Sequence, residues 1–504
     1  MHDASSSLTE ADRLMAEGRV QEALTLLDSA RKEAPSPLIL QKMAEAFARL
    51  NMPQAAEKVL VQGLVQFARD KTLTLSLAQY YYRIHQPEKG LSLTAPLSEE
   101  KDFLLLHAAL LRAAGKEKEA ESFYRDMIAR GPNNAAALSN YASLLTDRND
   151  YAAAIPLYKQ ALQTAPHHTH VSIQLAHTCF RAGLLKEGWH YYQARFGAGD
   201  HDPHAIVKRR TFPQDLWNGA PLKDSTLLIW NEQGAGEEIL YASMYDDAKV
   251  QARNVTVECD PRLVPLFTRS FAGIDFIPRR DPVDTRLLNP RLTTQIPAGH
   301  LGIFLRDKWD VFPKKSSFLK SDPEKTNTLR ARYEALKKEK GLTGSIIGLS
   351  WRSKPLRQGD PKSLSLQMLA PLLHSSPHLF VSLQYEADEK EVDEAQTQGW
   401  ALYNDKDVNQ KTSLDNFAAQ VAALDHVVTA SNTTAHMAGA LGVQTSVLLP
   451  RAKGLMWHWF DESPHINVRD RSPWYPSVTL LRQEKDGDWT APLIHAKTIL
   501  GALR

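Results

Sequence analysis

Up to about Phe196 the chain repeats itself at a spacing of about 34 residues, and no other feature narrows its fold as much. Glu119-Ala120, Ala153-Ala154 and Glu187-Gly188 recur at that interval, with Pro132 and Pro166 following two of them. The stretches AALSNYASLLTDRNDYAAAIPLYKQALQTAP and VSIQLAHTCFRAGLLKEGWHYYQARF each read as two short amphipathic helices around a polar or glycine turn. Earlier units are weaker: Gly18 precedes Glu22-Ala23-Leu24, Asn51 precedes Ala55-Ala56, and the third unit, around Tyr80 to Gly90, is the least regular. A helix pair of this length cannot bury its apolar face alone, so about six such units must stack. Small residues such as Ala142, Ala154 and Ala176 allow the close approach. The pattern predicts an α-solenoid over residues 1–196 with a concave groove for an extended peptide or a partner protein. Asn140 and Gln174 occupy equivalent repeat positions and are the candidate acceptor-binding residues, able to hydrogen-bond a peptide backbone, although Leu106 breaks the ladder one repeat earlier.

Between 197 and 224 the periodicity lapses. GAGDHDPHAIVKRR contains His201, Asp202 and His204, but without the supporting spacing of a metal site, and the stretch reads as a solvated linker.

The pattern then changes character. TLLIWNEQGAGEEILYASM, from Thr226 to Met244, is a short apolar strand, a glycine turn and a helix, the opening of a Rossmann-type unit. It continues as one helix from Glu237 to about Ala252, strand NVTVEC, a helix from Pro261 and strand IDFIP. A second set begins near Ser345 with SIIGLSW, followed by LSLQMLAPLLH, LFVSLQY, a charged helix, WALYND, DNFAAQVAAL, HVVTA, AHMAGALG and TSVLLP. Strands alternating with helices at this rhythm predict parallel sheets with right-handed crossovers. Two such halves, 225–340 and 341–504, face across a cleft, and ligands bind beyond the strand C-termini.

Three segments converge on that cleft. The opening turn contributes Gly234, Gly236 and Glu237. GLSWRSKPLRQGDPKS contributes Ser350 and Trp351 with Arg352, Lys354, Arg357 and Lys362, an aromatic face beside cations that suits a nucleotide. ASNTTAHMAGALG contributes Asn432, Thr433, Thr434 and His436, with hydroxyl, amide and helix N-terminal donors for a diphosphate. A dinucleotide-binding dehydrogenase would use Gly234, Gly236 and Glu258 as the ribose ligand, but Ile239 replaces its third glycine and the second half is left unexplained. A P-loop is excluded because no Gly-Lys-Ser/Thr follows the turn.

Composition excludes other classes. Lys and Arg number 60 against 58 Asp and Glu, so no basic field argues for nucleic acid. The two cysteines, Cys179 and Cys259, lie far apart, which rules out a disulfide framework and fits a reducing compartment. The N-terminus has no basic and apolar leader pattern, and no apolar run approaches membrane-spanning length. A cytoplasmic location is the expectation.

EQGAGEE (232–238), GLSW (348–351), SLQ (382–384), AHMAGALG (435–442) and SPWYPSVTLLRQEKDGDW (472–489) together resemble bacterial proteins that fuse tetratricopeptide repeats to a glycosyltransferase domain, similar to the heptosyltransferases and the O-linked N-acetylglucosamine transferases. The resemblance implies α + α/β architecture, a tetratricopeptide α-solenoid followed by a GT-B pair of Rossmann-like domains with a C-terminal helix. It implies a metal-independent, inverting transferase without cofactors, moving a sugar from a nucleotide-sugar donor to a protein acceptor, with flagellin among the acceptors that the family's diversity suggests. Glu237 stands where the family has its acid and is the candidate catalytic base. Gly234, Gly236, Ser350, Trp351, Arg352, Lys354, Gln384, Asn432, Thr433, Thr434 and His436 become the donor-binding set. Two positions depart from the pattern: Glu237 replaces an Asp, which keeps the charge and lengthens the reach, and Ser431 stands where an Asp often precedes the motif histidine. An inactive repeat scaffold and a transferase acting on a lipopolysaccharide-type acceptor are the alternatives.

Overall fold

The computed structural model describes residues 4–199, 202–353, 360–385, 389–464 and 466–503. The chain forms two compact units, Met1–Leu144 and Leu145–Arg504.

The first unit is built from helix pairs. They are α1 (Ala4–Ala16) with α2 (Val20–Glu33), α3 (Pro37–Arg49) with α4 (Pro53–Gln66), α5 (Lys71–Arg83) with α6 (Pro87–Thr94), and α7 (Lys101–Ala113) with α8 (Glu117–Arg130), followed by α9 (Ala135–Asp147). Each turn inside a pair is closed by one residue with positive φ: Gly18, Asn51, His85 and Gly115. A histidine carrying this left-handed conformation at 85, and a second helix cut to eight residues, are the physical form of the irregular third unit. Helix starts are capped where the sequence offers a short polar side chain: Ser36 accepts from the Ile39 N–H and Asp70 from the Leu73 N–H. Ala11, Ala23, Leu27, Ala46, Leu60 and Leu73 form the packed interior of the first pairs.

The second unit begins with α10 (Tyr151–Thr164), α11 (Thr169–Arg181) and α12 (Leu185–Tyr192), whose turns use Asn149 and Gly183 in the same left-handed role. These helices share one core with the α/β region. Phe180 and Trp189 are buried against Trp457, with ring centroids 4.7 and 5.3 Å apart. Residues 145–196, which the sequence reads as the last repeats, fall within the compact unit that holds the sheets, and the apolar face of α11 and α12 is buried there.

The linker expectation for 197–224 is also corrected. Val207, Phe212 and Trp217 are buried, and strand β1 (Asp215–Leu216) joins a sheet. Arg210 forms an ion pair with Glu258, and Asp202 caps a turn, accepting from the N–H groups of Ala198 and His204 at 2.8 Å. His201 lies outside the described residues, and His204 lies 5.8 Å from the His168 ring. The apolar residues are too widely spaced to announce a strand, so only their burial reveals the packing.

The first parallel sheet has the order β1, β5 (Thr294–Pro297), β2 (Leu222–Trp230), β3 (Ala252–Cys259), β4 (Ile274–Pro278). The expected long helix after β2 is two, α13 (Ala235–Ala242) and α14 (Tyr245–Gln251), because Ser243 and Met244 bond to Leu240 and Tyr241 three residues back rather than four. α15 (Val264–Ser270), α16 (Leu301–Leu305) and α17 (Pro323–Glu339) complete this half. The second parallel sheet has the order β11 (Val478–Arg482), β10 (Thr445–Leu449), β9 (His426–Ala430), β6 (Ile346–Ser350), β7 (Leu379–Ser382), β8 (Leu402–Tyr403), with α18 (Ala370–Leu373), α19 (Glu389–Thr397), α20 (Leu414–Ala422), α21 (Thr433–Leu441) and α22 (Thr490–Gly501). Every residue of β6, β7, β9 and β10 is buried, as expected for parallel strands covered on both faces. No helix among the described residues is long and apolar enough to cross a membrane.

Candidate functional site

Beyond the end of β2 the chain turns through Asn231, Glu232, Gln233 and Gly234 into α13. Each of these polar side chains is held from beneath. The Asn231 amide donates to the Tyr245 hydroxyl (2.9 Å) and the Glu258 carbonyl (3.0 Å). Glu232 is paired with Arg195, whose Nη2 lies 2.6 Å from Oε1, and both side chains are fully buried. The Gln233 amide donates to the Tyr192 hydroxyl at 2.9 Å and accepts from Tyr241 at 3.0 Å. Arg195 and Tyr192 come from the last helical repeat, so the end of the solenoid fixes the glycine turn. The repeat period carries no signal for this role.

The two acids of the turn point to different places. Glu238 is buried beneath the sheet edge, where it accepts from the Asp260 N–H (2.8 Å) and pairs with Arg279 (2.7 Å). Burial pushes its carboxyl up to about 8, against the opposing pull of Arg279. Glu238, the neighbouring acid of the turn, therefore presents no base to the cleft. Glu237 is half-buried in the first turn of α13, with Oε2 3.3 Å from the point a Cβ on Gly234 would occupy. Its charge is felt by Tyr475, whose phenol is raised first by burial and then by Glu237.

On the facing half, β6 and β9 end side by side and their following residues interlock. Gln384 is the hub. Its Oε1 accepts from Ser350 Oγ (3.3 Å) and from the N–H groups of Trp351 and Arg352 (2.9 Å each), and its Nε2 donates to the carbonyls of Arg352 and Tyr385. Asn432 caps α21, accepting from the Thr434 N–H at 2.9 Å, while its Nδ2 donates to Ser350 Oγ at 2.8 Å and to the Arg352 carbonyl at 3.2 Å. Gln384 and Asn432 are therefore engaged with the protein itself, and their place is behind the ligand surface. Gln384→Leu is expected to lower stability by about 2 to 4 kcal/mol, since several buried partners lose their bonds. Urea unfolding of the variant measures this.

Two expectations for the basic loop are corrected. Trp351 is fully buried, with its indole N–H on Glu391 (3.1 Å), and offers no face for a base to stack on. Arg352 is 7% exposed and its guanidinium is paired with the same Glu391, so its charge is already compensated. A tryptophan directly after an apolar strand continues the core more readily than it starts a loop. Lys354 and Arg357 lie outside the described residues. The accessible aromatic face is Tyr385, 45% exposed, one residue beyond the SLQ motif. It borders a cavity of about 490 Å³ at the ends of β7 and β8, lined also by Glu389, Asn404, Asn409 and Lys411. An aromatic residue just past a strand C-terminus was the available signal.

The two halves meet where α13 and α21 begin. A Cβ on Gly236 would lie 3.2 Å from His436 Cδ2 and 3.4 Å from Thr433 Oγ1, so only glycine permits this approach comfortably. Gly234, Gly236, Glu237, Thr433 and His436 are thus brought together, with Ser350, Asn432 and Thr434 directly behind. His436 is buried, 2.9 Å from the Tyr475 hydroxyl through Nδ1 and stacked on Trp459, and desolvation lowers it to about 3. It is a neutral imidazole at physiological pH. Glu258, the ribose ligand of the dehydrogenase alternative, is buried and occupied by Arg210, which argues against that reading. Asn140 on α9 and Gln174 on α11 are each half-buried, and belong to different compact units.

A tetratricopeptide-repeat family model matches residues 145–188. Over 474 residues the chain is 26% identical to Protein FlbA of Caulobacter vibrioides, covering 90% of this chain and 76% of that one. Among solved structures it is similar to a glycosyl transferase of family 9 from Veillonella parvula, with 13% identity, 53% of this chain and 88% of that chain covered, and a TM-score of 0.37. It is also similar to TTC0263, a tetratricopeptide protein of Thermus thermophilus, with 20% identity, 35% and 98% covered, and a TM-score of 0.31. The chain therefore carries tetratricopeptide repeats ahead of an α/β region with two parallel sheets.

Proposed function

We propose that this protein is a glycosyltransferase of GT-B architecture, with halves at 225–340 and 341–504, which moves a sugar from a nucleotide-sugar donor to a protein acceptor recruited by its repeats. The observation that carries the reading is the meeting of the α21 N-terminus with the Gly234–Glu237 turn, at the C-terminal ends of strands from two parallel sheets. A helix N-terminus offers amide donors and a positive dipole end to a diphosphate. Thr433 adds a hydroxyl. The Tyr385 face and the amides of Asn404 and Asn409 suit a base and ribose in the adjoining cavity.

Transfer by direct displacement needs a base within reach of the acceptor hydroxyl, on the side away from the departing nucleotide. Glu237 has that position in this reading. Its carboxylate takes the hydroxyl proton as the oxygen attacks the anomeric carbon, the bond to the donor phosphate breaks, and the released diphosphate is stabilised at the start of α21. This gives inversion without a step that calls for a metal ion. Flagellin is one acceptor such a protein would serve, and the repeats of the first unit, with Asn140 among them, are where it would be held.

Glu237→Gln preserves shape and removes basicity. It is expected to lower turnover by roughly 100-fold or more while leaving nucleotide affinity intact. Calorimetric titration with UDP, GDP, ADP and dTDP, alongside single-turnover transfer, tests both halves of the statement. Near-normal turnover would make Glu237 a helix-start residue only, and absence of binding by every nucleotide would remove the donor site.

A further inference from the structure

Next to His436 lies a second imidazole that the sequence gives no reason to single out. His458 is 2% exposed, and among the described residues neither Nδ1 nor Nε2 has a hydrogen-bond partner. Its ring sits 4.7 Å from His436, between Trp457 (5.4 Å) and Trp459 (4.8 Å). The loop that carries it is fixed on both sides. Trp459 donates its indole N–H to Ser431 Oγ at 2.8 Å, and Arg482 bonds the carbonyls of Trp459 and Phe460. Trp457 packs on Tyr192 with centroids 5.3 Å apart, the same tyrosine that holds Gln233 of the glycine turn. The ring is therefore held rigidly at the junction of the last repeat, the glycine turn and α21.

A buried polar group without a partner carries a desolvation cost, and two on one ring are unusual in a folded protein. A phenylalanine or leucine would fill the same space without that cost. Burial leaves the imidazole neutral, with His436 and Lys362 acting in the same direction. A neutral imidazole has one N–H donor and one lone pair, the complement of an alcohol, which also donates once and accepts. Its neighbour His436 in turn lies 3.2 Å from the Cβ position of Gly236, so a ligand seated between α13 and α21 is one ring away from His458.

We propose that His458 is a substrate-binding residue that hydrogen-bonds a hydroxyl of the sugar being transferred, the two nitrogens gaining their partner when the sugar displaces the Gly236–His436 contact. The inference rests on the donor reading given above. It separates the sugar from the nucleotide: His458 contributes to affinity for the first and nothing to the second.

Calorimetric titration of the full chain with UDP, GDP, ADP and dTDP, and with UDP-N-acetylglucosamine, GDP-mannose, ADP-glucose and dTDP-glucose, tests it in wild type, His458→Phe and His458→Asn. The expected result is that His458→Phe melts no lower than wild type, binds the preferred nucleoside diphosphate as wild type does, and loses tenfold or more in affinity for the matching nucleotide sugar. His458→Asn, which keeps a donor and an acceptor, recovers part of that loss and serves alone if the phenylalanine variant does not fold. Unchanged nucleotide-sugar affinity in His458→Phe overturns the inference while leaving the donor reading intact, as does an equal loss for nucleotide and nucleotide sugar, which marks a packing role. If wild type binds no member of either panel, the donor reading fails and the inference fails with it.

Discussion

Acidification from pH 7 to pH 5 is expected to destabilise residues 145–504 by about 5 to 6 kcal/mol. The cause is a set of histidines buried as neutral rings. Desolvation lowers His177 to about 4, His300 to about 2, His426 to about 4 and His436 to about 3, and holds His458 well below its ordinary value. Above the unfolded value of 6.5 both states are neutral and the full stability is present. As pH falls through that value the unfolded chain takes up protons that the folded one refuses, so stability drops until the folded values are reached. His177, His300, His426 and His436 each contribute a loss of about 2 kcal/mol by pH 5, and His458 acts in the same direction. Glu238 acts in the opposite sense: raised to about 8, it holds a proton in the folded state that the unfolded chain has released, which returns about 2 to 3 kcal/mol on acidification. Glu258, also raised by burial, acts on the same side. The net loss is a large share of a typical domain stability of roughly 5 to 15 kcal/mol. All 10 tryptophans lie at or beyond Trp189, so urea unfolding followed by tryptophan fluorescence reports this unit alone. Equal urea midpoints at the two pH values would contradict the account.

Replacing Asp461 by alanine is expected to cost about 3 to 5 kcal/mol, the range for removing one partner from a buried ionic group. Asp461 is 4% exposed in its side chain and receives Arg181 Nε and Arg482 Nη1, each at 2.9 Å, together with the Tyr151 hydroxyl. Arg181 and Tyr151 belong to the last repeats and Arg482 ends β11, so the loss strands two buried guanidinium groups at once. The backbone shares the joint: the N–H groups of Asp461 and Glu462 donate to the Arg181 carbonyl, and Gly183 lies against the Glu462 carbonyl too closely for a Cβ. Tyr151→Phe, which removes one hydroxyl, is expected to cost only about 1 kcal/mol. The urea midpoints of the two variants check the contrast, and similar small effects would mean that apolar packing alone holds the last repeats to the sheets.

Local pattern made most of the architecture legible in the sequence. The repeat period located the helix pairs because each turn needs a left-handed residue, and glycine or asparagine supplies it at Gly18, Asn51, Gly115, Asn149 and Gly183. Apolar runs such as SIIGLS and HVVTA announced buried parallel strands. Short strands escaped: β5 has only four residues and β1 two, and neither contains an apolar run long enough to show a period. At the site, motifs located the right loops, but not the direction in which side chains point. Trp351 and Arg352 fit a nucleotide in composition, yet one completes a core and the other neutralises Glu391. Glu237 and Glu238 are adjacent in sequence, and only the turn of α13 decides that one stays near the cleft and the other is buried on Arg279. Arg195 and His458 had no local signal, since their roles come from partners far along the chain.

The central claim is transfer of a sugar to a protein, and intact-mass analysis of proteins co-purified from cells with and without this chain tests it most directly. The account predicts one partner whose mass is higher by a monosaccharide residue only when the chain is present, with the difference lost when Glu237→Gln replaces the wild type. A co-purifying partner of identical mass in all three backgrounds would contradict it.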